Sequence, residues 1–362
     1  MCNILDFVRT YGNQTMKERR FGAVDALVLA QLSYINWSTA VPTLKENRPF
    51  ISLRESMYLG NVEQMVKGTV FKEGNRDLFH LTASSRRFGG MKLNYYVSVQ
   101  DKTRNLQFSA ITCILPCGLH CVIFMGTDES LNGWQENFSM VYRYPVPAQE
   151  FADMYLKQVM LRVSGPVILC GHSKGGNLAV YAAAMCERNL QKRIRRIYNF
   201  DGPGFCGEFL KQAGYRRILS RIRKYAAPES LIGMLLKDES GMFLVESTGH
   251  GMLQHDPYRW ELFGGRLRKA QRYSIAKRKS KEALNEKICN MSKEKAKLVI
   301  EHFFAVAEEG GVEKLSEITP ETAVAVLRNL RRGGDYDRDC IYILARILLY
   351  LLPGRRILRI GR

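Results

Sequence analysis

The 362-residue chain has no run of roughly 20 apolar residues, the length a membrane-spanning helix needs. Its last apolar run, residues 341–352, is interrupted by Arg346 and followed by Pro353. The N-terminus, MCNILDFVRTYGNQTMKERRFG, lacks a basic stretch followed by an apolar segment and a small-residue cleavage site. No secretory leader is therefore expected, and the expected compartment is the cytoplasm. There is no CxxC pair, and nine scattered cysteines, an odd number, fit neither a disulfide framework nor a zinc ribbon. Cys113, Cys117 and Cys121 fall four apart in ITCILPCGLHCVIF, which reads as two strands and a turn, so core packing is expected of them rather than metal binding. No internal repeat or low-complexity segment occurs. Histidine is scarce, with six residues, which narrows any search for a general base.

What is present is ordinary globular composition, 46% apolar and 25% charged, with a strongly basic balance of +19. Such a surface attracts polyanions or anionic lipid. The densest basic run, GGRLRKAQRYSIAKRKSK, has neither the aromatic and glycine pattern of an RNA-recognition module nor zinc-finger spacing, so nucleic acid is unsupported as a partner. Nothing in the sequence speaks to oligomeric state.

Periodicity predicts an amphipathic helix over residues 22–36, then an irregular polar stretch, then three strands in MKLNYYVSVQ, LQFSAITCILP and HCVIFMG. Beyond them PAQEFADMYLKQVMLRV reads as helix, PVILCG as strand, GGNLAVYAAAMCERNL as helix and RRIYNFDG as strand. RIRKYAAPES and GMFLVEST supply two further strands. Helices alternating with strands predict an α/β fold with a mostly parallel sheet. After Trp260 the style changes to basic, helix-forming sequence, so a domain of residues 1–265 and a basic helical region of 266–362 are expected.

Within this pattern, GHSKG (171–175) fits G-x-S-x-G with an apolar strand before it and a helix-forming sequence after it. The glycines suit a sharp strand-to-helix turn, where a Cβ would collide with neighbouring backbone. A helix start behind Ser173 offers free N–H groups and a positive dipole end to a developing oxyanion. A structural turn with a spectator serine is the alternative.

VIFMGTDESLNGWQENF, GHSKGGNLAVYAA and YNFDGPGF together resemble a bacterial lipase-like family of α/β-hydrolases, Mbeg-like and related to lipase class 3, over most of residues 1–262. That resemblance implies an α/β-hydrolase fold, a nucleophilic serine, a later histidine, an acid between them, and an oxyanion hole. It places these on Ser173, on His255 or His250, on Asp201 or Glu229, and on Gly126 and Thr127 with the backbone N–H of Lys174. His255 is favoured because QHDPYRW matches the family's late histidine, and Asp201 because it ends a strand where catalytic groups collect. Asp201 also reads as a turn former in DGPG. Ser230 falls where the class 3 acid sits, and Met125 replaces an arginine usual there. Asp128 and Asp256 are expected to brace the oxyanion and histidine loops, and His172 to point away from the reaction.

The expected activity is serine hydrolysis of an ester or thioester, a lipid-like acyl substrate being favoured by the resemblance, with no cofactor or metal. A degenerate hydrolase fold acting as a scaffold or regulator is the alternative. Arg266, Arg268, Lys269, Arg272, Lys277, Arg278, Lys279 and Lys281, with Arg355, Arg356, Arg359 and Arg362 near the end, suggest peripheral contact with an anionic membrane.

Overall fold

Strands in the middle of the chain are mostly apolar, as a sheet requires when both of its faces are covered. In the computed structural model β3 (Leu106–Ile114), β4 (His120–Phe124) and β5 (Val167–His172) are buried nearly throughout. The structure describes residues 2–46, 48–270 and 275–314, together with 317–319, 321–325, 328, 342–346 and 348. The other strands are β1 (Ile51–Ser52), β2 (Lys92–Asp101), β6 (Ile194–Phe200), β7 (Ile222–Ala226) and β8 (Met242–Leu244). The eight lie in sequence order across one mixed sheet, antiparallel from β1 to β4 and parallel from β4 to β8. The protein is thus α/β, with every strand expected from the sequence in place.

Alternation along the strands divides the core in two. Ile111, Cys113, Cys121, Ile123, Ile168 and Cys170 face one side, where α1 (Ile4–Tyr11), α2 (Ala23–Leu32) and α3 (Lys72–Ser84) pack. Phe108, Ala110, Val122, Phe124, Val167 and Leu169 face the other, beneath α5 (Pro147–Arg162) and α6 (Lys174–Met185). Between β4 and α5 runs α4 (Leu131–Ser139). Cys113 and Cys121 are core residues as expected, but Cys117 is exposed in the turn between their strands.

Two expectations need correction. The helix expected over 22–36 spans Ala23–Leu32 and is not amphipathic: Val24 to Leu32 are all buried, because the sheet lies on one side of α2 while α1 and α3 cover the other. A helix hydrophobic all round marks such a central position. The stretch expected to be irregular holds short helices at Leu53–Leu59 and Val62–Met65 as well as α3. Ser52 and Asn61 cap the two short ones, so local capping outweighs their polar composition.

Beyond residue 265 the chain stays attached to the α/β body. Leu262–Phe263 pairs with Arg266–Leu267, and Lys269 bridges Val245 beside β8. Then α7 (Ile275–Asn290) and α8 (Lys293–Glu309) follow, as the helical reading expects. They form a third apolar cluster with Leu131, Trp134 and Phe138 of α4 and with Leu231, Ile232, Leu235 and Leu236. Phe138 and Phe304 have ring centroids 5.9 Å apart, and Asn285 exchanges hydrogen bonds with the backbone of Leu236 in both directions. Among the described residues no helix is long and apolar enough to cross a membrane. Arg272 and the basic residues 355–362 lie outside the described residues.

Candidate active site

Ser173 joins β5 to α6 with φ 57° and ψ −133°, a conformation costly for a residue with a side chain. The glycines around it permit the turn. A Cβ on Gly171 would fall 2.2 Å from the carbonyl carbon of Gly175, and one on Gly175 would fall 2.1 Å from the carbonyl oxygen of Phe124. The start of α6 therefore packs directly on the end of β4, bringing Gly126 and Thr127 beside the turn. Gly126 is itself crowded: a Cβ there would meet the Tyr34 hydroxyl at 2.0 Å.

Asp201 occupies the same place on the neighbouring strand. It follows β6 directly with φ 54°, and its side chain is fully buried. Its N–H donates to Tyr225 O (2.7 Å), and Ser173 N donates to Phe200 O (2.8 Å), so both strand ends are tied into the sheet. Asn177 on α6 holds the DGPG turn through Pro203 O and Gly204 O.

His255 Nδ1 lies 2.6 Å from Asp201 Oδ2, with both residues buried. A carboxylate accepts, so Nδ1 carries the proton and Nε2 keeps its lone pair for another donor. The Ser230 hydroxyl donates to the same Asp201 oxygen. The histidine loop is anchored by Trp260, whose Nε1 donates to Gln254 O (2.9 Å), and by Gln254, whose Oε1 accepts from Glu229 N (2.6 Å). The Ser173 hydroxyl makes no hydrogen bond among the described residues.

His172 does more than point away. Its Nε2 is 2.9 Å from His255 O and its Nδ1 is 2.9 Å from the Tyr34 hydroxyl. A carbonyl only accepts, so Nε2 is the protonated nitrogen and Tyr34 donates to Nδ1. Burial, and then the nearby His255 ring, hold the His172 pKa well below the ordinary histidine value, which keeps this tautomer neutral. Burial pushes the Tyr34 pKa up, so its hydroxyl remains a donor.

The structure thus brings together Ser173, Asp201, His255, Gly126, Thr127 and Lys174. His250 is exposed at the start of the short helix that carries His255, and Glu229 takes part through its backbone N–H. Asp128 accepts from Ser130 N (3.0 Å) and Gln100 Nε2 (2.8 Å), bracing the loop after Thr127. Asp256 accepts from Tyr258 N (2.9 Å) behind the histidine. The sequence reading missed Tyr34, Gln107, Glu136 and Asn137. Asn137 Nδ2 donates to Thr127 Oγ1, and Glu136 pairs with Lys174 Nζ at 2.9 Å. The available signal was a lysine set among small and apolar residues in SKGGNLAVYAAA, where a solvent-facing side chain has no room.

Fold and site define an α/β protein that gathers a serine, a histidine and an aspartate at the carboxyl edge of its parallel strands. The chain belongs to the Mbeg1-like family, whose model matches residues 82–305 and so includes Ser173, Asp201 and His255. No curated protein and no solved structure matches the chain.

Proposed function

We propose that the protein is a serine hydrolase of the α/β-hydrolase type, related to lipase class 3, that cleaves an ester or thioester with a lipid-like acyl group. The observation that carries this reading is the buried Asp201–His255 pair beside a serine in a strained strand-to-helix turn. Ser173 Oγ attacks the acyl carbon while His255 Nε2 takes its proton. The tetrahedral intermediate places its negative oxygen against the backbone N–H groups of Lys174 and Thr127. Its collapse breaks the bond to the leaving alcohol or thiol, which receives the proton from Nε2. Water then repeats the sequence on the acyl-serine, releasing the acid and restoring the serine. Asp201 holds the Nδ1–H tautomer and stabilises the imidazolium formed in each half. On this reading the hydrogen bond from Ser173 Oγ to His255 Nε2 forms when substrate binds, as catalytic contacts often do.

A second reading, a scaffold that retains the fold without the chemistry, draws on the 2% exposure of Ser173 and on its unbonded hydroxyl. Labelling with a fluorophosphonate serine probe separates the two. Wild type labels and Ser173→Ala does not under the hydrolase reading, and an inert wild type supports the scaffold.

A further inference from the structure

Lys174 carries a fully buried charged side chain, and the chemistry above uses only its backbone. Its ammonium is fully buried, with three acceptors for its three protons: Gln107 O at 2.6 Å, Gln107 Oε1 at 2.6 Å and Glu136 Oε2 at 2.9 Å. Glu136 is equally buried and also accepts from Gln107 N (3.2 Å) and Ala148 N (2.8 Å). A buried ion pair is a poor source of stability, since apolar residues of the same volume often do as well. What it supplies is a fixed arrangement.

That arrangement leads to Thr127 by two routes. Because Gln107 Oε1 faces the ammonium, the other end of the amide, Nε2, is turned toward Gly126 O, reaching it in a long contact of 3.5 Å. The Gly126–Thr127 peptide is a rigid plane whose N–H points opposite to its C=O, so holding the carbonyl aims the Thr127 N–H away from Gln107. The second route runs through α4. Glu136 is pinned by Lys174, and the next residue, Asn137, donates to the Thr127 hydroxyl.

We propose that Lys174 is a positioning residue for both donors of the oxyanion hole, supplying one through its own N–H and orienting the other, Thr127 N–H, through Gln107 and Glu136. This rests on the hydrolase reading. It also gives the loop a brace where Met125 stands, whose side chain has no donor.

The test uses the full chain and p-nitrophenyl esters. Lys174→Met or Glu136→Gln alone leaves an unmatched buried partner and lowers the thermal midpoint. The double variant Lys174→Met/Glu136→Gln removes both charges and recovers most of that midpoint, yet is expected to lose ~100-fold in kcat with KM within ~3-fold, the pattern of an oxyanion donor lost in the transition state. Affinity for a trifluoromethyl ketone, which forms a tetrahedral adduct on the serine, should fall by a similar factor. Gln107→Met, which buries no unpaired charge, tests the first route if the double variant does not fold, and should lose ~10-fold in kcat on the same grounds. A folded double variant with kcat within ~3-fold of wild type overturns the proposal, as does unchanged kcat in Gln107→Met or undiminished adduct affinity beside a lowered kcat. A wild type inert to both fluorophosphonate and ester overturns the hydrolase reading, and this proposal with it.

Discussion

Replacing Asp201 by asparagine changes one atom in the core of the site, and its consequence can be worked out from the hydrogen bonds. Oδ2 accepts from His255 Nδ1 and from the Ser230 hydroxyl, while Oδ1 has no partner among the described residues and lies against Gly233. An amide nitrogen placed at the Oδ1 position would be a buried donor without an acceptor, costing about 1–3 kcal/mol. Placed at the Oδ2 position it donates to Ser230 Oγ, which can turn to accept, and to His255 Nδ1. The second orientation satisfies more groups and is the one the site selects. It forces the proton onto Nε2, the nitrogen that must take the serine's proton.

The size of the loss follows. A carboxylate stabilises an imidazolium at hydrogen-bond distance by roughly 4 kcal/mol at an effective dielectric of 20, which is about 10³ in rate. The wrong tautomer takes the expected fall in kcat to about 10⁴. The assay is hydrolysis of p-nitrophenyl butyrate, with the thermal midpoint as a folding control. Glu229→Gln, which keeps the backbone N–H that holds the histidine loop, should stay within ~3-fold on the same scale. A folded Asp201→Asn protein within ~10-fold of wild type would refute the reasoning.

For the base, His255→Ala should lose at least ~100-fold in kcat and the exposed His250→Ala little; the reverse result would move the assignment to His250. His172 predicts a pH effect on stability. Its folded pKa is depressed, so the unfolded chain takes up a proton the folded chain does not, and stability present above the ordinary histidine pKa of 6.5 is lost as pH falls below it. His172→Gln should flatten the thermal midpoint between about pH 7 and 5 relative to wild type, and parallel curves would remove this role. For membrane contact, changing Lys277, Arg278, Lys279 and Lys281 to glutamine should reduce sedimentation with phosphatidylglycerol vesicles. The wild-type signal should fade with salt as the Debye length shrinks from about 10 Å at 0.1 M to about 3 Å at 1 M. Equal sedimentation of both proteins at low salt would exclude a contribution from this run. Truncation at residue 265 would not serve, because α7 and α8 carry part of the third apolar cluster.

The strands and the turn at Ser173 were legible because each has a local signature: apolar runs bounded by turn residues, and glycines at the two positions where backbone approaches backbone. The resemblance implied the order serine, acid, histidine, and Asp201 and His255, favoured over Glu229 and His250, are the two that lie in hydrogen-bond contact. What stayed hidden depended on long-range partners. Lysine and glutamate ordinarily read as solvent-facing, and only the fold brings Lys174 and Glu136 together, 38 positions apart in the chain. The bracing contacts of His172 were hidden because its partners, Tyr34 and the His255 carbonyl, lie 138 and 83 positions away. The breadth of α2's burial was hidden for a similar reason. Its pattern permits one covered face, and a second covering layer appears only once α1 and α3 are placed.

Backbone conformation gives an independent reason to treat Ser173 and Asp201 as a pair. Six non-glycine residues among those described have positive φ: Phe71, Tyr95, Asn105, Ser173, Asp201 and Leu236. Asn105 needs no special account, since asparagine enters the left-handed region readily in turns. Ser173 and Asp201 each follow the last residue of a parallel strand, and those strands are neighbours. Positive φ at Ser173 costs of order 1–3 kcal/mol, and such strain persists only where the surrounding structure imposes it; aspartate, like asparagine, tolerates the left-handed region, so the cost at Asp201 is smaller. Here the imposing contacts are visible: Ser173 N to Phe200 O, Asp201 N to Tyr225 O, and Gly202 N to Asn199 Oδ1 at 2.9 Å. A turn needing only to reverse the chain could relieve this strain with glycine at either position. A hydroxyl at one and a carboxylate at the other, with His255 held against the carboxylate, is the arrangement that the proposed reaction uses and that a turn alone does not need.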